Sequence, residues 1–269
     1  MKKILKNSIY LILIFCFCVF CKPYQAVAFA KNPSLNPAST DIISRESELQ
    51  EYQAYERDIP TSNSDTHDFF EQTDTPSHNY TVVIDAGHGG PDPGSIGYKT
   101  KVYESNLNLK LSKMLKTKLE ESGIKVVMTR EDENGLAEGR GKPFKKRDME
   151  KRKEIIKNIR PNMVISIHQN SYTNHSFRGA QVFYDKTSEI SKQIANCIQN
   201  EFIKSLDHSN KSTSPGDYFM LKCTTAPSVI VECGFLSNAE EEKLLLSEDY
   251  QEKIVNALYL GIINFLQTK

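Results

Sequence analysis

The sequence predicts a single α/β domain over residues 79–269: an open, twisted sheet with helices on both faces. Two observations predict the class. Short runs rich in Val, Ile and Thr alternate with stretches whose apolar residues recur at helical spacing. The helical stretches between strands are roughly 10 to 20 residues long, which suits crossovers that return the chain to the same sheet. The length of this region, roughly 190 residues, is enough for one sizeable core.

The elements follow in order. Residues 80–85 form a β-branched run that ends against Gly87. Leu107, Leu111, Met114, Leu115 and Leu119 mark a helix, closed by Ser122 and Gly123, with Glu104 just ahead of Ser105 as its N-cap. Residues 124–129 read as a second strand and 149–159 as a helix that Pro161 stops. Strands are expected at 163–167 and 180–184, then a helix over 188–206. Residues 218–221 and 228–231 read as further strands, and Ile254, Leu258, Ile262 and Phe265 as a final amphipathic helix.

Composition narrows the function classes. Of 269 residues, 25% are charged and 39% hydrophobic, which excludes a collagen, a polytopic membrane protein and a wholly disordered chain. The net charge is zero, so there is no overall basic signature for nucleic acid. The charge is nevertheless segregated. Residues 1–30 carry four Lys and no acid, whereas residues 31–78 carry three basic and ten acidic residues.

Residues 1–30 read as a signal peptide or N-terminal anchor. Lys2, Lys3 and Lys6 precede an apolar run of 13 residues over 9–21. A spanning helix needs about 20 such residues, whereas a secretory core needs only about 7–15. Ala26-Val27-Ala28 and Ala28-Phe29-Ala30 offer small-residue cleavage patterns. On either reading the rest of the chain is exported, and membrane contact is confined to this leader. Residues 31–78, rich in Ser, Thr, Asn, Pro, Asp and Glu, lack the apolar periodicity that offsets ordering entropy and read as a flexible acidic spacer. Beyond the leader only Cys197, Cys223 and Cys233 remain, an odd number without a Cys-x-x-Cys pair. This argues against a disulfide framework and a thiolate zinc site.

Four candidate residues lie at strand ends or next to one. The first strand runs into Asp85-Ala86-Gly87-His88-Gly89-Gly90, where glycines allow the turn that presents His88. Glu104 follows the next loop, His168 ends the third strand, and Glu232 ends the Val229-Ile230-Val231 run. In α/β sheets, sites form beyond the carboxyl ends of strands. A catalytic zinc takes three protein ligands, and a nearby carboxylate then serves as proton shuttle. Two His and two Glu match that inventory. Taken singly, His88 suits a surface turn, His168 suits a satisfied strand-end histidine, and Glu104 suits a favourable helix-dipole charge. Glu232 is harder to explain so, because an unpaired carboxylate after three apolar residues is costly to bury. His67, His78, His175 and His208 lie in polar stretches and read as solvated. Spacing alone gives a zinc hydrolase and no substrate.

At these residues the sequence resembles the zinc-dependent N-acetylmuramoyl-L-alanine amidases, the large amidase family of cell-wall hydrolases. The matching segments begin with Val83-Ile84-Asp85-Ala86-Gly87-His88-Gly89-Gly90, then Glu104 ahead of an Asn- and Leu-rich helix, then Met128-Thr129-Arg130. Ser166-Ile167-His168-Gln169-Asn170-Ser171 and Val231-Glu232-Cys233-Gly234-Phe235-Leu236-Ser237-Asn238 complete them in the family's order. The resemblance implies a six-stranded sheet and one Zn²⁺ held by His88, Glu104 and His168, with Glu232 as the catalytic carboxylate. It implies hydrolysis of the amide between N-acetylmuramic acid and L-alanine in peptidoglycan. Asp85 and Asn170 then fall where they would orient ligands or substrate, and Arg130 and Arg152 read as structural.

Segments 179–184 and 218–222 look most like the germination-specific amidases of spore formers. That subgroup implies a place in the envelope of the developing spore, in its intermembrane space, and a role in forming muramic-δ-lactam in the cortex. Residues 131–147 read as a short loop with no inhibitory helix, which leaves control to an activating partner protein or to expression. Three rivals stand beside the amidase: another peptidoglycan zinc peptidase, a non-catalytic peptidoglycan-binding module, and a thiol hydrolase built on Cys233.

Overall fold

Six strands form one mixed sheet in the order β2-β1-β3-β6-β4-β5. The computed structural model describes residues 80–209 and 211–268. The leader expected over 1–30 and the spacer expected over 31–78 lie outside the described residues. The elements run β1 (Thr81–Ala86), α1 (Glu104–Glu121), β2 (Lys125–Met128), α2 (Gly141–Ile159), β3 (Met163–Asn170) and β4 (Gln181–Tyr184). They continue as α3 (Glu189–Ser205), β5 (Ser214–Pro215), α4 (Phe219–Lys222), β6 (Ser228–Phe235), α5 (Ala239–Leu245) and α6 (Glu248–Leu266). Neighbours β2, β1, β3 and β6 are parallel, whereas β4 runs antiparallel to β6. The carboxyl ends of β1, β3 and β6 therefore share one edge of the domain.

Strand alternation divides the core in two. Val82, Ile84, Ile165, Ile167, Val229 and Val231 point to one face, where Leu111 and Leu115 of α1, Ile194 and Ile198 of α3, and Ile254 and Leu258 of α6 cover them. Val83, Val164 and Ile230 point to the other, where Ile156 of α2 and Met220 and Leu221 of α4 complete a smaller cluster. Helices thus cover both faces, as the sequence pattern predicts. Among the described residues no helix is long and apolar enough to cross a membrane.

Three local expectations are corrected. Residues 218–221, read as a strand, lie across the start of the short helix α4. Met220 and Leu221 both enter the smaller cluster, and a strand would send consecutive side chains to opposite faces. A short apolar run does not by itself distinguish the two. Helix α2 begins at Gly141 rather than near 149. Pro143, which lacks only a donor the first turn leaves unused, is compatible with that start. In α1, Glu104 is the first helical residue and Tyr103 the N-cap, so Ser105 lies within the helix.

Candidate metal centre

The shared strand edge brings His88, Glu104, His168 and Glu232 around one cavity of about 370 Å³. His88 follows β1 in the left-handed backbone region, with φ 64°. A non-glycine residue there costs energy and persists when its surroundings hold it. Here Arg152 Nη2 donates to the His88 carbonyl at 2.6 Å, and Arg130 Nη2 donates to the Gly87 carbonyl at 3.0 Å. The His88 ring is fixed by Asp92, whose Oδ2 lies 2.9 Å from Nδ1. That leaves Nε2 facing Glu104 Oε1 at 3.2 Å.

Glu104 is 2% exposed and accepts on both oxygens. Ser95 N donates to Oε2 at 2.7 Å, and Gln169 N and Asn108 Nδ2 donate to Oε1 at 3.1 and 3.2 Å. His168 Nδ1 lies 3.0 Å from the same Oε1. Two glycines make the approach feasible. A side chain at Gly87 would overlap the His168 ring, and one at Gly94 would meet Glu104 Oε2 and His88 Cδ2.

Two imidazoles and one carboxylate offer ligand atoms that all lie within 4.8 Å of one another. This donor set and its closeness fit zinc with a position left for water or substrate. The electrostatics agree. Burial opposes charge on His88, yet hydrogen bonds and charge from Asp92 and Glu104 outweigh it and raise the imidazole to about 9. Burial likewise opposes ionisation of Glu104, but the two imidazoles hold it far below the usual carboxylate range. The cluster favours positive charge at its centre, and a metal cation supplies that charge while displacing protons.

Glu232 stands opposite His168 in register. Burial pushes its carboxyl up to about 7, and its buried Oε2 has no hydrogen-bond partner. An unsatisfied buried carboxylate oxygen is rare enough to demand a chemical reason. Cys233, next along β6, enters the main core on the opposite face, where burial pushes its thiol far above the ordinary range. A thiol nucleophile at Cys233 is thereby removed, and all three remaining cysteines are free.

Asp85 and Asn170 divide. Asn170 lines the cavity. Asp85 is 1% exposed and lies beneath it, accepting from Arg152 Nη1 and Ser166 Oγ at 2.6 Å each and from Thr129 Oγ1 at 2.7 Å. Sequence reasoning missed Asp92, Asn108 and Gln169 as supports of the ligand set. Asp92 carries the only legible signal: a carboxylate four residues after His88 in a Pro- and Gly-bearing loop.

An α/β sheet with this constellation at its strand ends defines a metal-dependent hydrolase. Residues 82–264 match the N-acetylmuramoyl-L-alanine amidase family, and the chain belongs to it. The germination-specific N-acetylmuramoyl-L-alanine amidase of Bacillus subtilis (strain 168) is 30% identical over 207 residues, covering 76% of this chain and 86% of that relative. The CwlD amidase from Clostridioides difficile, solved in complex with the GerS lipoprotein, superposes with a TM-score of 0.68 at 40% identity. The match covers 71% of this chain and all of that one (100%). The catalytic domain of CwlV, from Bacillus (Paenibacillus) polymyxa var. colistinus, gives 0.63 at 31% identity, over 71% and 99% of the two chains. The protein is thus a zinc-type cell-wall hydrolase whose substrate is peptidoglycan.

Proposed function

We propose that His88, Glu104 and His168 hold the zinc ion, that Glu232 moves the proton, and that the enzyme strips stem peptides from cortex peptidoglycan so that muramic-δ-lactam forms. The observation that carries the catalytic part is the convergence of three ligand atoms beside the unpaired Oε2 of Glu232. The spore role is supported by likeness to the germination-specific and CwlD amidases.

Zinc, when bound, supplies a Lewis acid that polarises the amide carbonyl and makes hydroxide accessible at neutral pH. The chain's own residues do the rest. Glu232, whose carboxyl burial pushes up to about 7, takes the proton of the attacking water on Oε2 in its ionised form and returns it to the departing nitrogen. The water oxygen first adds to the carbonyl carbon and the C–N bond then breaks; with both water protons ending on nitrogen, the glycan keeps a lactyl carboxylate and the peptide a free L-alanine ammonium. Asp92 fixes the His88 ring so that Nε2 stays aimed at the centre. Asn170, on the cavity wall, is placed to hydrogen-bond substrate, while Asp85 acts from below through Arg152.

In this reading residues 1–30 export the chain, residues 31–78 space it from the membrane, and residues 79–269 are the catalytic domain, working between the membranes of the developing spore. The lipoprotein bound to the CwlD relative motivates an accessory partner here. The test is product analysis of peptidoglycan digested by the zinc-loaded and chelator-treated protein. Zinc-dependent appearance of stem peptides with free L-alanine amino termini is expected, and cleavage within the stem peptide instead would overturn the assignment. Muramic-δ-lactam missing from spores of a deletion strain tests the cortex role.

A further inference from the structure

Two aromatic rings beside the catalytic groups have no part in the reaction as described. Tyr218 and Phe219 line the same cavity as Glu232 and His168, and each remains 42% exposed. Adjacent exposed aromatic surface at a cavity mouth marks an interaction site more often than an accident of packing. The placement is built. By sending Met220 and Leu221 into the smaller core cluster, α4 leaves Phe219 facing out. The Tyr218 ring meets Phe183 edge-on, with centroids 5.6 Å apart at 74°. It also rests on bare backbone, because a Cβ on Gly216 would lie 2.6 Å from its Cδ2 and Cε2.

The cavity lining mixes two chemistries: the polar groups of His88, Ser95, Glu104, Gln169, Asn170 and Glu232, and the apolar surface that Tyr218, Phe219 and Met220 bring from the start of α4. Of the charges close to the aromatic pair, Lys222 and Asp217 neutralise each other at 2.6 Å, and the one that acts on the Tyr218 phenol is the carboxylate of Glu232. Such a wall offers little to an acidic stem peptide. It suits the C–H face of a pyranose ring, which packs against the negative face of an aromatic ring. Only the lactyl ether link separates the sugar ring of the substrate from the scissile carbonyl, so that ring must lie against some wall of this cavity.

We propose that Tyr218 and Phe219 form a stacking subsite for the muramic acid ring that adjoins the scissile amide. The proposal rests on the amidase reading of the same cavity, and it assigns the sugar to the α4 side.

Calorimetry on the zinc-loaded protein tests it with two probes: a GlcNAc–MurNAc tetrasaccharide without stem peptides, and the free stem peptide. Tyr218→Ala and Phe219→Ala are each expected to weaken saccharide binding by about fivefold, with peptide binding unchanged and KM for a disaccharide-peptide raised in step. Tyr218→Phe, which keeps the ring, should bind like the parent. Gly216→Ala, which displaces the ring without removing it, should reproduce Tyr218→Ala. Thermal unfolding checks that each variant is folded. Unchanged saccharide affinity in both alanine variants overturns the proposal. So does an equal loss in Tyr172→Ala, whose exposed ring lies outside the cavity, or a loss confined to the peptide probe. If the parent protein binds the saccharide through these rings yet cleaves no muropeptide even when its accessory partner is supplied, the saccharide site stands and the catalytic reading falls.

Discussion

His168 and Glu232 are register partners on the adjacent parallel strands β3 and β6, and both leave the sheet on the face of Val164 and Ile230. One step deeper on the same face, Asp85 of β1 pairs with Ser166 of β3. The site is therefore two rows of polar residues laid across three strands, the outer row chemical and the inner row structural. A one-residue slip of β6 would turn Glu232 into the main core and bring Val231 or Cys233 to the cavity. The β-branched strands that fix the register thus also fix the distance between His168 and Glu232.

Glu232→Gln keeps the shape of that side chain and removes its basicity. Loss of a positioned acid–base group costs about 100- to 10,000-fold in turnover, and that is the expected fall in kcat on a soluble disaccharide-peptide. Zinc content, measured by metal analysis, should stay at the parent level because Glu232 is not among the grouped ligands. Retained turnover, or lost metal, would remove Glu232 from the role assigned here.

Asp92→Asn leaves the ligands in place and weakens the carboxylate that orients His88. Supports of this kind change metal affinity by about 10- to 100-fold. Competition with a chelator should show zinc bound that much more weakly, with turnover restored at saturating zinc. Unaltered affinity would mean that the His88 backbone, held by Arg152, suffices to aim the ring.

The sequence makes the outer row legible and the inner one only through the family pattern, which names Asp85 and leaves Arg152 as structural without its partners. His88, His168 and Glu232 follow β-rich runs, and strand ends are where α/β sheets place chemistry. Glu104 gives only a weak local signal, since a first-turn glutamate is commonplace, and the family pattern singles it out. Arg152 reads as one cation among many on a Lys-rich helix. Nothing local tells that its side chain is 1% exposed and reaches Asp85, 67 residues away in sequence. The strand at 218–221 fails for a related reason. Four apolar residues in a row carry no period, and only the cluster beneath α4 decides which way Met220 and Leu221 point.

Arg152→Met tests the inner row. Arg152 lies between Asp85 at 2.6 Å and Asp148 at 2.7 Å, with its side chain 1% exposed. Breaking a buried pair leaves an uncompensated charge and costs about 3–5 kcal/mol, which urea unfolding would read as a lower midpoint. Adding Asp85→Asn removes the stranded charge and should recover part of the loss. A double variant no more stable than Arg152→Met would show that the arginine contributes mainly through the Ala86 and His88 carbonyls.

Asp85 also sets an acid limit. Burial opposes its ionisation, but Arg152, Ser166 and Thr129 outweigh it and lower the carboxyl from 3.8 to about 2. A depressed folded-state value means that the stabilisation is present in full above the unfolded value of 3.8 and is lost as pH falls through about 2. The amount is roughly 2 kcal/mol. Urea unfolding of the metal-free parent and Asp85→Asn, compared between pH 5 and pH 2, isolates it. Over that range the parent's advantage should shrink steadily. His88, raised to about 9, stays protonated throughout and drops out of the difference. A parent-minus-variant difference that does not change with pH would show that the Asp85 charge is not what Arg152 holds in place.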